Sequence, residues 1–273
     1  MKKEAFQKTI LAWYRKSGRH DLVWRKTKNP YHILVSEIML QQTQVSRVVP
    51  FYKAFLKKFP TTRALARASS HEVLKAWQGL GYNRRALNLK RAAEMIEREY
   101  GGKFPKMPAH LEALPGVGKY TARAVYVFSE NKPEFFVETN IRRVFLHFFF
   151  AGKNTVHDKE IFPFIESMLY HKNPRLWYWA LMDYGALALK KIPNPNRKSR
   201  HYTRQPLFLG SHRYQRAKIL SFILKKKKAL LSEISHHVKN DIHLPQKIDE
   251  LKKILGELER EGFIKKAGNF WRA

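Results

Sequence analysis

The amino-acid sequence predicts an all-α protein that closes in a small strand-containing module. Three observations predict it. Apolar residues recur at helical spacing, as in Phe6, Ile10, Leu11 and Tyr14, or Leu87, Leu89, Ala92, Ala93 and Ile96, while long alternating runs are scarce. Helix punctuation falls at ordinary helix lengths: Asn29-Pro30, Phe59-Pro60, Gly79-Leu80-Gly81, Gly101-Gly102 and Pro115-Gly116-Val117-Gly118. Beyond Gly210 the helical spacing returns in Ile219, Phe222 and Ile223 and again in Ile248, Leu251, Ile254, Leu255 and Leu258, and a short hairpin around Gly268-Asn269 ends the chain.

A basic, proline-rich stretch from Lys190 to Lys198, running on to Pro206, interrupts this pattern and serves as the connection. It divides the chain into residues 1–205 and 206–273. Helices followed by a terminal hairpin match a winged-helix module, although a helical appendage that only packs on the first domain fits the same pattern.

The chain has 273 residues, with 53 Lys+Arg against 22 Asp+Glu, a formal charge of +31. That excess exceeds what solubility needs and implies a polyanionic partner, nucleic acid first. No run approaches the roughly 18 apolar residues of a membrane span, and the amphipathic start lacks a signal-peptide core, so a cytoplasmic, nucleoid-associated protein with no membrane partner is expected. The absence of cysteine excludes disulfides, thiol catalysis and thiolate metal sites, and no metal or other cofactor is expected.

Two segments carry candidate chemistry. In Leu114-Pro115-Gly116-Val117-Gly118-Lys119-Tyr120-Thr121, two glycines permit a tight turn and a new helix starts at once, its free amides forming an anion site with Lys119 beside it. An ordinary helical corner would have the same outline. Glu37 lies among Ile33, Leu34, Val35, Ile38, Met39 and Leu40, a setting that desolvates a carboxyl and raises its pKa, unless it sits on the wet face of an amphipathic helix.

From residue 22 to 145 the chain resembles the helix-hairpin-helix (HhH-GPD) DNA glycosylase superfamily. The resemblance rests on Trp24-Arg25, Asn29-Pro30-Tyr31, Ser36-Glu37-Ile38-Met39-Leu40-Gln41-Gln42-Thr43, Trp77-Gln78-Gly79-Leu80-Gly81-Tyr82, the Gly116/Gly118 hairpin and Asn140-Ile141-Arg142-Arg143-Val144. It implies a two-lobed helical glycosylase domain that extrudes a base from double-stranded DNA, acts as a monomer and carries the winged-helix-like module behind it. The Gln41-Gln42 run is similar to the adenine-mismatch branch. On that resemblance Glu37 is the general acid, and Glu138 stands where the family has an aspartate that steadies the sugar cation, one methylene longer, with Asn140 holding it. Tyr120 replaces the Schiff-base lysine of bifunctional relatives, which implies monofunctional chemistry without strand cleavage.

The same resemblance puts Leu22, Trp24, Arg25 and Asp183 around the base, with His20 where an arginine is expected. Asp183 is then an acceptor for an exocyclic amine. Gln41 and Gln42 fill the gap left by the extruded nucleotide, and Leu114, Gly116, Val117, Gly118, Lys119 and Thr121 grip a phosphate. Most relatives carry four cysteines after the Ala180-Leu181-Met182-Asp183 helix for an iron-sulfur cluster; this chain has none. A Nudix-like reader of 8-oxoguanine does not fit in residues 210–273. The expected reaction is release of adenine opposite 8-oxoguanine or guanine. The rival readings are a uracil, thymine or hypoxanthine mismatch glycosylase and a non-catalytic lesion binder, to which the Glu138 exchange lends weight.

Overall fold

The structure, a computed structural model, describes residues 1–200, 202–203 and 207–273. Arg204 and Pro206 of the proposed connection, and the boundary at 205/206, lie outside these residues. The helices run α1 (Lys3–Ser17), α2 (Pro30–Leu40), α3 (Val45–Lys58), α4 (Thr62–Arg67), α5 (Ser70–Trp77), α6 (Arg84–Glu99), α7 (Pro108–Glu112) and α8 (Lys119–Glu130). They continue as α9 (Thr139–Phe149), α10 (Asp158–Met168), α11 (Pro174–Leu187), α12 (His212–Lys226), α13 (Leu231–Lys239) and α14 (Ile248–Arg260). The strands β1 (Lys228–Leu230), β2 (Lys265–Ala267) and β3 (Phe270–Arg272) belong to the C-terminal module.

Packing divides the chain into two units, and the division does not follow sequence order. One unit joins residues 1–49 to 99–204, and the other joins 50–98 to 205–273. In the first unit α2 is the central helix. Asn29 caps it by accepting from the amides of Tyr31 (2.9 Å) and His32 (3.4 Å), with Pro30 fitting its first turn. Every residue from Tyr31 to Met39 except the half-buried His32 is then buried, as a mostly apolar central helix requires, and α2 packs on α8 while α9 packs on α11. Phe6 of α1 meets Phe145, Phe148, Phe149 and Trp177, sealing the outer side of that second pair.

One contact fixes how close α11 comes to α9. A β-carbon on Gly185 would lie 2.2 Å from the carbonyl oxygen of Asn140, so only glycine allows the two backbones to meet there. Arg143 closes the same junction by donating to the Gly185 carbonyl at 2.9 Å.

In the second unit, Phe55 of α3 and Trp77 of α5 pack edge to face in the lobe built from the end of α3 and α4 to α6. The C-terminal module packs on this lobe, where Gln78 donates to Ser221 (2.5 Å) and Glu261 joins Arg84 (2.7 Å) and Arg216 (2.8 Å). Its strands form one antiparallel sheet in the order β1-β3-β2; along the chain β1 lies between α12 and α13, and β2 and β3 follow α14, which is the element order of a winged helix.

Candidate active site

Glu37, the eighth residue of α2, is 5% exposed, yet it faces a cleft of about 560 Å³. Tyr120, one residue into α8, donates its hydroxyl to Glu37 Oε2 at 2.7 Å. Burial raises the Glu37 pKa to about 7 against the opposing Tyr120 hydrogen bond, and the neighbouring Glu138 charge pushes it further up. Burial and the two carboxylates hold the Tyr120 phenol well above its ordinary range, so it remains a proton-bearing donor at neutral pH.

Glu138 lines the same cleft and caps α9. Its Oε1 accepts from the amides of Asn140 (2.7 Å) and Ile141 (2.8 Å), and its Oε2 accepts from Asn140 Nδ2 (3.3 Å). The longer side chain therefore folds back onto its own helix start, the position a shorter carboxylate cap occupies. Burial raises its pKa, and the Asn140 and Ile141 amides partly offset this. Glu37 has one phenolic donor while Glu138 has three N–H donors at a helix N-terminus. Of the two carboxyls, Glu37 is thus the one that keeps a proton and Glu138 the one that ionises first.

Leu22, Trp24 and Arg25 line the cleft, as do Gln41, Gln42 and Asn140; His20 and Asp183 do not. His20 instead packs edge to face on Tyr14, with ring centroids 4.7 Å apart. The guanidinium anticipated at position 20 comes from its neighbour Arg19, which lines the cleft. Asp183 is fully buried behind it. Arg19 donates its backbone amide (2.7 Å) and Nε (2.7 Å), and Arg25 donates both terminal nitrogens (2.7 and 2.9 Å). Burial opposes its ionisation, but the Arg25 and Arg19 contacts outweigh it and keep the carboxyl below its ordinary pKa. Four donors occupy the carboxylate, leaving no lone pair for a base amine. Asp183 positions two guanidiniums and does not itself reach into the cleft.

Gln41 ends α2 and donates to Thr121 Oγ1 at 3.4 Å, while the exposed Gln42 adopts a left-handed backbone with φ +54°. Thr121 is buried, so its hydroxyl faces inward. In the hairpin, Leu114 and Val117 are anchored in the core, and a 3.0 Å bond from the Val117 amide to the Leu114 carbonyl closes the turn. Gly116 has φ +79°, the left-handed region that glycine tolerates. Space around Gly118 is open, no side chain caps α8, and Lys119 is exposed beside it. The first amides of α8 thus point outward without a protein acceptor at their cap.

Sequence reasoning missed Arg19, Phe128, Trp179 and Met182 in the cleft wall. Trp179 and Met182 stand three apart on α11, a spacing that by itself reads as core. The polypeptide after α11 supplies no thiolate, the chain having no cysteine, so its residues do not fit an iron-sulfur cluster. Hydrogen bonds hold that segment: Lys198 Nζ donates to the carbonyls of Phe150 (3.2 Å) and Ala151 (2.6 Å), and Asn196 Nδ2 donates to Thr139 O (3.0 Å), next to Glu138. Among the described residues no helix is long and apolar enough to cross a membrane.

Residues 35–164 match the family described as HhH-GPD superfamily base excision DNA repair protein. The chain is 40% identical over 195 residues to the adenine DNA glycosylase of Buchnera aphidicola subsp. Baizongia pistaciae, covering 70% of this chain and 55% of that one. It is 36% identical over 168 residues to the thymine/uracil-DNA glycosylase of Pyrobaculum aerophilum, covering 60% of this chain and 73% of the relative. A solved structure of a thermostable thymine-DNA glycosylase superposes with a TM-score of 0.65 at 30% identity, covering 70% of this chain and 90% of that one. The chain spans about half the length of the curated adenine glycosylases it matches.

Proposed function

Because the chain belongs to the HhH-GPD superfamily of base excision DNA repair proteins, we propose that it is a monofunctional DNA N-glycosylase releasing adenine opposite 8-oxoguanine or guanine. The observation that carries this reading is Glu37, a buried carboxyl with a pKa near 7 that faces a cleft with room for a base and is held by a tyrosine where an amine nucleophile would otherwise stand. The flipped purine enters the cleft, and Glu37 protonates a ring nitrogen so that the base departs neutral. The electron pair of the N-glycosidic bond leaves with the base, and the Glu138 carboxylate stabilises the sugar cation left behind. Water then adds to that carbon and gives up a proton, which restores the acid form of Glu37, and the abasic sugar results. Lys119 and the open amides of α8 bind a backbone phosphate, and the Gln41-Gln42 turn meets the orphaned base.

The relatives named adenine DNA glycosylase support the choice of base, as does a carboxylic acid that still carries its proton near neutral pH, since purine departure is assisted by protonation of the base. The Pyrobaculum aerophilum relative and the thymine-DNA glycosylase structure favour the second reading, removal of thymine or uracil. The proposal includes no iron-sulfur cluster and no other cofactor. Single-turnover base release, scored as alkali-labile sites on duplexes carrying each mismatch, tests it. Adenine opposite 8-oxoguanine or guanine should be released faster than adenine opposite thymine, with no borohydride-trapped complex. Release of thymine or uracil opposite guanine with adenine untouched would transfer the assignment to the second reading. No release from any duplex would favour a binding protein.

A further inference from the structure

The sheet of the C-terminal module places three cations on one rung. Lys228 of β1 pairs with Arg272 of β3, and Arg272 pairs with Lys265 of β2, so their side chains share one face of the sheet. All three are exposed. The next rung on that face carries Leu230, Phe270 and Ala267; Phe270 is 38% exposed, with the Lys228 ammonium 5.1 Å from its ring. The opposite face holds the buried Ala229 and Trp271 and the exposed Lys266, whose ammonium lies 6.0 Å from the Trp271 ring.

Like charges set directly opposite one another oppose strand pairing, so this rung weakens the sheet it sits on. No acidic side chain among the described residues forms an ion pair with Lys228, Arg272 or Lys265. The module does contain acids, but they hold it together elsewhere: Glu233 pairs with Lys226, Glu257 and Glu261 with Arg216, and Asp241 accepts from Tyr214. Neighbouring strands lie about 4.8 Å apart, so the rung spreads its charge over roughly 10 Å. A polyanion with closely spaced charges matches it, and a duplex presents one about every 1.7 Å of axis. The single exposed aromatic, flanked by lysines, is too small an apolar area to enter a bilayer as an amphipathic helix does.

We propose that this face of the C-terminal sheet is a second DNA-contact surface, binding the phosphate backbone of duplex DNA through Lys228, Arg272 and Lys265. It rests on the chain's being a DNA-binding protein and not on which base it removes. The test compares the full chain with Lys228→Ala/Lys265→Ala/Arg272→Ala in binding an undamaged duplex across a salt series. A matched variant, Lys8→Ala/Arg15→Ala/Lys16→Ala, removes the same charge from the exposed side of α1.

The rung variant should bind more weakly and flatten the slope of log K against log salt by about 2 to 3, since each phosphate contact contributes roughly 0.9. The matched variant should change the slope by less than about 1, within one contact. Equal slopes for the two variants, an unchanged slope for the rung variant, or loss of binding to phosphatidylserine vesicles with duplex binding retained would each overturn the proposal. If the triple variant does not fold, the single Lys265→Glu carries the same test. Duplex binding needs no chemistry, so failure of base release leaves this result standing.

Discussion

Burial makes Glu37 costly to ionise, and that cost makes activity and stability both fall as pH rises, over different ranges. The acid is active when protonated, so base release should be high below pH 7 and fall as pH rises through the folded-state value near 7. The folded pKa lies above the ordinary glutamate value of 4.5, so the group's stabilisation is fully present below 4.5 and is lost between there and 7, by about 3 kcal/mol. Glu37→Gln should therefore reduce single-turnover release by about 100-fold to 10,000-fold while leaving duplex affinity intact. The same exchange should raise the melting temperature at pH 8, measured by calorimetry, because the amide has no charge to desolvate. Wild-type turnover, or a lower melting temperature at pH 8, would remove Glu37 from this role. Its apolar neighbours made the shifted pKa legible in the sequence. The Tyr120 bond and the Glu138 charge are long-range contacts, and no local pattern indicates them.

At the scale of elements, the junction of α9 with α11 sets the position of the second carboxyl. Gly185→Ala would place a methyl group against the Asn140 carbonyl, forcing the helices apart. Overpacking of this kind costs about 1–3 kcal/mol, and the start of α9 carries Glu138 with it. We expect a lower melting temperature and a fall in the chemical rate, by about 100-fold if Glu138 shifts by about 1 Å, with a smaller effect on DNA affinity. Glu138→Asp should behave differently, since aspartate is a good cap and reaches the same amides. Folding should be kept and the single-turnover rate should stay within about tenfold, as a preserved charge at a preserved position requires. A large loss would mean that the site is built around the longer side chain. The helices, their caps and the hairpin were readable because spacing, proline and glycine act locally. Arg19 was missed by one residue, and Asp183 was read as a base contact because nothing local shows that two arginines saturate it.

At the scale of the molecule, the +31 charge indicated a polyanion but not where it sits, because only the fold brings Lys228, Arg272 and Lys265 onto one rung. Which lobe the C-terminal module packs on was equally hidden, since the linker composition marks a break and not a destination. The segment after α11 carries a consequence for the cell's redox state. It is tied down by a lysine, an asparagine and backbone carbonyls, and the proposed chemistry passes through carboxyls and a phenol. None of these groups is readily oxidised by peroxide, whereas a thiolate-held cluster or a free thiol is. The chain as purified should hold no stoichiometric iron, and brief peroxide treatment should leave the base-release rate of a Met182→Leu variant unchanged, Met182 being the thioether in the cleft wall; a visible iron chromophore or rapid inactivation of that variant would contradict this. The oxidant that damages guanine would then leave this chain able to act on the resulting mispair, with neither a reductant nor an iron supply needed to keep it working.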